Sequence, residues 1–194
     1  MFYKEIKGCR ICKNQQLDLI LDLGNLALAG SFPKTKTEEI PSGPLTLVKC
    51  RETAADESCG LVQLKETYNL DLMFGQNYGY RSGLNKSMVN HLHSKVKRIL
   101  DHVTLSLDDI VVDIGSNDST LLQAYPKEQA VLLGFDPTGK KFKKYYPNHI
   151  TLIADFFSAE RFKTQVGNRK AKIVTSIAML YDLEDPIGFV REVY

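Results

Sequence analysis

The sequence predicts an α/β chain in three parts: a small cysteine-bearing module, an amphipathic linker helix, and part of a parallel β-sheet. Three observations carry this. All four cysteines lie within the first 60 residues. Apolar side chains recur at three- and four-residue spacing from Met88 to Val103. From Asp109 onward, short apolar runs alternate with helical stretches, the pattern of βαβ units. The expected boundaries are 1–66, 67–108 and 109–194.

The first part holds short apolar pieces, Leu17–Leu23 and Leu45–Val48, broken by Gly24, Pro33, Pro41, Gly43 and Pro44. They read as short strands and loops with a meagre core. A segment this small often needs a metal or a disulfide to stay folded. Cys9-Arg-Ile-Cys12 is a C-x-x-C knuckle, and Cys50 and Cys59 follow with eight residues between them. Zinc favours four thiolates in a tetrahedron, and a tight knuckle supplies two adjacent corners. Filling the other corners with Cys50 and Cys59 would make a closed, structural site. Four unrelated reduced thiols are the alternative. The clustering favours zinc over that reading, and a thioredoxin-type redox pair would follow a βαβ strand, which this knuckle does not.

In the second part Met88, Val89, Leu92, Val96, Ile99, Leu100 and Val103 form one apolar face, so Asn85–His102 reads as a helix capped by Ser82 or Asn85. In the third, Ile110–Ile114, Ala130–Phe135, Ile150–Ala154 and Ile173–Ile177 read as buried strands. Thr120–Tyr125, Gly139–Tyr146 and Ala159–Val166 read as the helices between them.

The first of those strands runs into Asp113-Ile114-Gly115-Ser116-Asn117-Asp118-Ser119-Thr120, read as a tight turn followed by a helix starting near Asp118 or Ser119. Asp113 stands at the carboxyl end of a strand, where open α/β sheets bind ligands. Glycines do not occupy positions 117 and 120, so this is not the dinucleotide fingerprint. An acid before a single glycine suits a ligand with a cationic amino group and no pyrophosphate. Asp136, 23 residues after Asp113, ends the second strand and offers a carboxylate for two ribose hydroxyls. Asp155 and Phe156 end the third, placed for an adenine amine and ring face. Taken singly, each has a plainer reading as a cap or a solvated acid; three successive strands ending in acids favour a cofactor site.

Net charge is +2, from 25 basic and 23 acidic side chains, which leaves no electrostatic footprint for nucleic acid. The basic cluster Lys140, Lys141, Lys143 and Lys144 reads as a solvated helix face. The first ten residues lack an apolar signal region, and no run is long enough to span a bilayer. No membrane partner and cytoplasmic residence are therefore expected.

In order along the chain, Cys9-x-x-Cys12, Cys59-Gly60-Leu61-Val62-Gln63-Leu64, Tyr78-Gly79-Tyr80-Arg81-Ser82-Gly83, Met88-x-x-His91, Val112–Asp118, Gly134-Phe135-Asp136-Pro137 and Ser176–Pro186 resemble the sugar C-methyltransferases acting on nucleotide-linked keto-deoxysugars. That resemblance implies a structural zinc module ahead of a Rossmann-like class I methyltransferase domain that binds S-adenosylmethionine. It implies cofactor contacts from Ser82, Asp113, Gly115, Asn117, Asp118, Asp136, Pro137, Asp155, Phe156 and Ser176. Tyr78, Tyr80 and His91 are the catalytic candidates, the tyrosines better suited to orienting a ketone. His91, bordering the apolar helix face, is expected to pack.

Three departures stand out. Ser119 replaces the glycine of the family's S-N-D-G turn, the spacer before Cys59 is long, and only four sheet strands are readable before Tyr194. The expectation is an N-terminal portion, lacking the segment that supplies the family's base and inactive alone. Two other readings stay open: a zinc-ribbon RNA methyltransferase, disfavoured by the charge balance, and a non-catalytic module that binds the cofactor or self-associates through an unfinished sheet edge.

Overall fold

A computed structural model describes residues 2–29, 33–52, 58–75 and 78–194. The chain divides into two compact units, one of Met1–Gly79 with Leu180–Glu192, the other of Tyr80–Met179.

In the first unit, β1 (Tyr3–Glu5), β2 (Leu17–Ala27), β3 (Ser42–Cys50), β4 (Val62–Leu64) and β5 (Glu66–Tyr68) form two antiparallel sheets, β1–β5 and β2–β3–β4. A short helix, α1 (Leu70–Phe74), follows, capped by the Asn69 side chain. Alternation along β3 turns Thr46, Val48 and Cys50 inward, so the strand's period of two delivers a cysteine to the buried face. Among the described residues of this unit, the buried apolar side chains are Cys9, Leu28, Val48 and Cys50. Leu19, Ile20, Leu21 and Leu23 of β2 lie largely in solvent. So small a core cannot by itself offset the entropy of ordering the chain.

The second unit opens with α2 (Lys86–Leu100), whose N-cap Asn85 accepts the Ser87 N–H at 2.9 Å. Then come β6 (Ile110–Ile114), β7 (Val131–Phe135), α3 (Gly139–Phe142), β8 (Ile150–Ile153), α4 (Ala159–Val166) and β9 (Ile173–Ser176). The four strands form a parallel sheet in the order β8-β7-β6-β9. Counted within the sheet that order is 3-2-1-4, the doubly wound arrangement, with its switch point between β6 and β9. The chain is thus mixed α/β: a small cysteine module and a partial Rossmann-like sheet. Every residue of β6 is buried, as a central strand requires.

Three expectations change here. The linker helix is part of this unit's core: Leu92 and Val96 of α2 cluster with Val111, Leu121, Leu122, Tyr125, Leu132, Ile150 and Ile173. No α-helix follows the glycine turn, where only a 3-10 turn forms over Leu122–Ala124. Asn117 and Ser119 both adopt left-handed backbone, φ 50° and 64°, which no right-handed helix start accommodates. Gly139–Tyr146 likewise splits into α3 and a 3-10 turn over Lys143–Tyr145, and its four lysines are exposed as expected. The last helix, α5 (Pro186–Val193), is capped by Asp185, which accepts the Gly188 N–H.

Close approach of the turn to β7 depends on Gly134. A β-carbon there would stand 2.6 Å from Ser116 Oγ and 3.0 Å from Ser116 Cβ. Gly134→Ala is expected to lower the second unit's stability by roughly 1–3 kcal/mol through this overpacking, read by chemical denaturation.

Candidate functional site

Two constellations stand out, one in each unit. In the first, the sulfurs of Cys9, Cys12, Cys50 and Cys59 all lie within 4.8 Å of one another. Cys9–Cys59 and Cys12–Cys50 are each 3.5 Å apart. Tetrahedral zinc with Zn–S near 2.3 Å sets its sulfurs roughly 3.8 Å apart, so this cluster fits the ion. The knuckle is shaped by backbone bonds from Cys9 N–H to Asn14 C=O (2.8 Å) and from Lys13 N–H to Cys9 C=O (3.0 Å), with Lys13 left-handed at φ 64°. The Cys50 N–H donates to Leu61 C=O at 2.8 Å, which draws the chain around Cys59 toward β3. Asn14 Nδ2 lies 3.5 Å from Cys50 Sγ, an amide donor to a prospective thiolate. The long spacer between Cys50 and Cys59 includes residues 53–57, which lie outside the described residues.

In the second unit the carboxyl ends of β6, β7 and β9 converge. Asp113 is buried and accepts the Thr175 Oγ1–H at 2.7 Å. Burial pushes its carboxyl up to about 7, partly opposed by the Thr175 bond and reinforced by the nearby Asp136 charge. Gly115 (φ 78°) folds the turn back so that its N–H reaches Phe135 C=O at 2.8 Å. Asp136 spends most of its acceptor capacity inside the protein. Its Oδ2 takes the Asn117 N–H (2.7 Å), and its Oδ1 takes both the N–H and the hydroxyl of Thr138. Of about four lone-pair sites on a carboxylate, one remains, on Oδ2. Asp136 therefore keeps one acceptor position free of the hydrogen bonds described.

Asn117 and Asp118 tether a neighbouring loop. Asn117 Oδ1 accepts the Ser82 N–H (2.9 Å), and its Nδ2 donates to Tyr80 C=O (3.1 Å). Asp118 Oδ2 accepts the Gly83 N–H (2.9 Å) and lies 3.4 Å from the Arg81 guanidinium, which sits 4.1 Å over the Tyr145 ring. Asp118 and Asn117 thus organise the segment that carries Tyr80 and Ser82. Ser119, fully buried and left-handed, donates through Oγ to Tyr145 C=O at 3.2 Å. That bond compensates in part for a side chain where glycine would relax the backbone. Ser176 pairs with Ile114 in register, and its buried hydroxyl has no hydrogen-bond partner among the described residues.

Against known proteins, residues 9–74 match the family model Methyltransf_13, described as “Putative zinc binding domain”. The chain is also similar to the C-methyltransferase NovU of Streptomyces niveus. That relative is 27% identical over 138 residues, covering 69% of this chain and 31% of NovU. The chain is thus similar to a C-methyltransferase and carries a match to a zinc-binding domain. It spans about a third of the length of the relative it matches.

The remaining candidates fall in different places. Asp155 is half exposed, pairs with Arg161 Nε at 2.9 Å and accepts the Phe156 N–H. Phe156 and Pro137 are partly buried at the ends of β8 and β7. Tyr78 packs edge-on against Phe74 in the first unit, with ring centroids 5.6 Å apart. Tyr80 is 45% exposed. His91 stands exposed on α2 instead of packing, because the inward face is taken by Leu92 and Val96. No α-helical segment is both long and apolar enough to cross a membrane among the described residues.

Sequence reasoning passed over Arg10, Gln63, Thr175 and Tyr146. Tyr146 Oη lies 2.9 Å from Ser116 Oγ and donates to Asn117 C=O at 2.9 Å, bracing the turn from below. Nothing in the local pattern marks a tyrosine 30 residues downstream as a partner of that turn.

Proposed function

We propose that this chain is the cofactor-binding and zinc-bearing portion of an S-adenosylmethionine-dependent C-methyltransferase acting on a nucleotide-linked keto-deoxysugar. The observation that carries the reading is the arrangement at the switch point. A buried acid on β6, a single-glycine turn and a buried Ser176 hydroxyl without a partner among the described residues meet beside the acid that follows β7. An orphaned hydroxyl at a strand end costs free energy until a ligand pairs with it. A β-carbon built on Gly115 would meet nothing closer than Met179 Cγ at 3.7 Å, so space is open over the turn.

In this reading Asp113 faces the cofactor's ammonium group, Asp136 takes one ribose hydroxyl, and Asp155 with Phe156 borders the adenine. Asn117, Asp118 and Ser82 hold the loop that presents Tyr80, whose phenol orients the substrate ketone. Bound S-adenosylmethionine supplies an electrophilic methyl group. The substrate carbon beside the ketone becomes nucleophilic only after losing a proton, so a positioned base is essential. Tyr78 and His91 are the remaining candidates for contact with substrate. The four thiolates fill the zinc shell, so the metal's part is structural.

Calorimetric titration with S-adenosylmethionine, with and without a panel of nucleotide sugars, tests the proposal. Wild-type chain is expected to bind the cofactor. Ser176→Ala is expected to leave the free protein as stable or slightly more stable, while weakening binding by about three- to tenfold, the scale of one neutral hydrogen bond. Absence of cofactor binding in the wild-type chain would refute the proposal.

A further inference from the structure

The C-x-x-C knuckle encloses an arginine that does not face solvent alone. Arg10 reaches across β4 and β5. Its guanidinium donates to Leu64 C=O (2.5 Å), Glu66 C=O (3.1 Å), Thr67 Oγ1 (2.7 Å) and Gln63 Oε1 (3.2 Å). The Arg10 backbone N–H donates to the same Gln63 oxygen at 3.1 Å. Both groups are donors only, so the amide must turn its oxygen toward Arg10 and its nitrogen the other way. That nitrogen is buried and has no hydrogen-bond partner among the described residues. Gln63 itself is 8% exposed, and its amide oxygen lies 3.1 Å from the backbone nitrogen of Arg10, the residue bonded to the wholly buried Cys9.

We infer that Gln63 is a positioning residue of the metal centre, its Nε2–H donating to the Cys9 thiolate when the four cysteines hold zinc. The inference rests on the zinc reading of the cluster. A buried amide nitrogen without a partner is costly, and a thiolate beside it is the acceptor that removes the cost. Bound metal keeps Cys9 ionised, so the acceptor is created by loading. The arrangement parallels Asn14, whose Nδ2 lies 3.5 Å from the Cys50 sulfur. Arg10 fixes the amide's orientation by occupying its oxygen from inside the knuckle. Cys9 and Cys50 are the two buried ligands, and each then has one amide donor. Such outer contacts orient the ligands and lower the charge density at sulfur.

Gln63→Glu separates this role from a packing role. The carboxylate keeps an acceptor for Arg10 and nearly the same volume, but it sets an oxygen where the donor stood. Gln63→Leu removes both. Zinc affinity of the 194-residue chain is measured by competition with a chelating dye, and each protein is also loaded with cobalt(II). Both variants are expected to bind zinc about 10–100-fold more weakly, the range for loss of such contacts. Their thiolate-to-cobalt charge-transfer band should move to lower energy, because a sulfur lone pair relieved of an N–H donor is easier to oxidise. Zinc bound one per chain with wild-type affinity and an unshifted band in Gln63→Glu would overturn the inference. A wild-type chain that binds no zinc would instead overturn the metal reading beneath it, a distinguishable result.

Discussion

Cys12→Ser is expected to release the zinc and unfold the β1–β5 and β2–β3–β4 sheets, while the parallel sheet of the second unit keeps its own unfolding transition. The size of the effect follows from the poverty of the first unit's core. Two of its four buried apolar side chains among the described residues, Cys9 and Cys50, are themselves thiols of the cluster. Structural zinc contributes an apparent binding energy on the order of 10 kcal/mol to small domains, most of it folding energy. The second unit has a separate apolar cluster built from α2, Leu121, Leu122 and Tyr125, and one residue from each of the four strands of the parallel sheet. Elemental analysis with amide hydrogen exchange, read separately over residues 2–75 and 80–179, checks the outcome. Metal-free Cys12→Ser protein with wild-type protection in β3 and β4 would refute it.

Asp113→Asn is expected to make the free protein more stable above neutral pH and to impair cofactor binding. Burial raises the Asp113 carboxyl from its ordinary 3.8 to about 7, against the opposing Thr175 bond. Between those values the folded state holds a proton that the unfolded chain has released. Stability therefore falls as pH rises from about 4 to about 7, then levels once both states are ionised. Asparagine cannot ionise and still offers Thr175 an acceptor. Its advantage should be absent near pH 4 and complete above pH 7, on the order of 2–4 kcal/mol for a shift of this size. A cationic group bound beside Asp113 would ionise it and release a proton, so the variant should lose at least about tenfold in affinity, as for a charged hydrogen bond. Thermal unfolding at pH 4, 6 and 8 tests the first half, and titration in buffers of different ionisation enthalpy the second. Equal stability of the two proteins at pH 8 would show that Asp113 is not desolvated as described.

Burial and local periodicity were readable from the chain because they are short-range. Ile110–Ile114 is five apolar or buried residues with no interruption, and it is β6 residue for residue. The span Ala159–Val166 is α4, with Ser158 capping it through a 3.2 Å bond from Arg161 N–H. Helix α2 begins after Asn85, one of the two expected caps with Ser82, because an Asn side chain there pairs an otherwise orphaned N–H. The helix expected after Gly115 failed for an equally physical reason. Asn117, Asp118 and Ser119 are recruited by Asp136, the Tyr80–Gly83 segment and Tyr145, and those distant partners hold the backbone left-handed where helix propensity alone would not.

The strands of the parallel sheet, helices α2 and α4, the glycine turn and four thiols in one small module were legible in the residue order, since each depends on residues a few positions apart. That β6 lies between β7 and β9 became clear in the folded chain alone, because strand order depends on pairings across as many as 63 residues. So did the facts that Cys50 and Cys59 close on the knuckle, that Asp136 has one lone pair to spare, and that Gln63 turns its nitrogen away from Arg10. Those outcomes rest on desolvation and on who reaches whom through space, and neither is written in the spacing of residues along the chain.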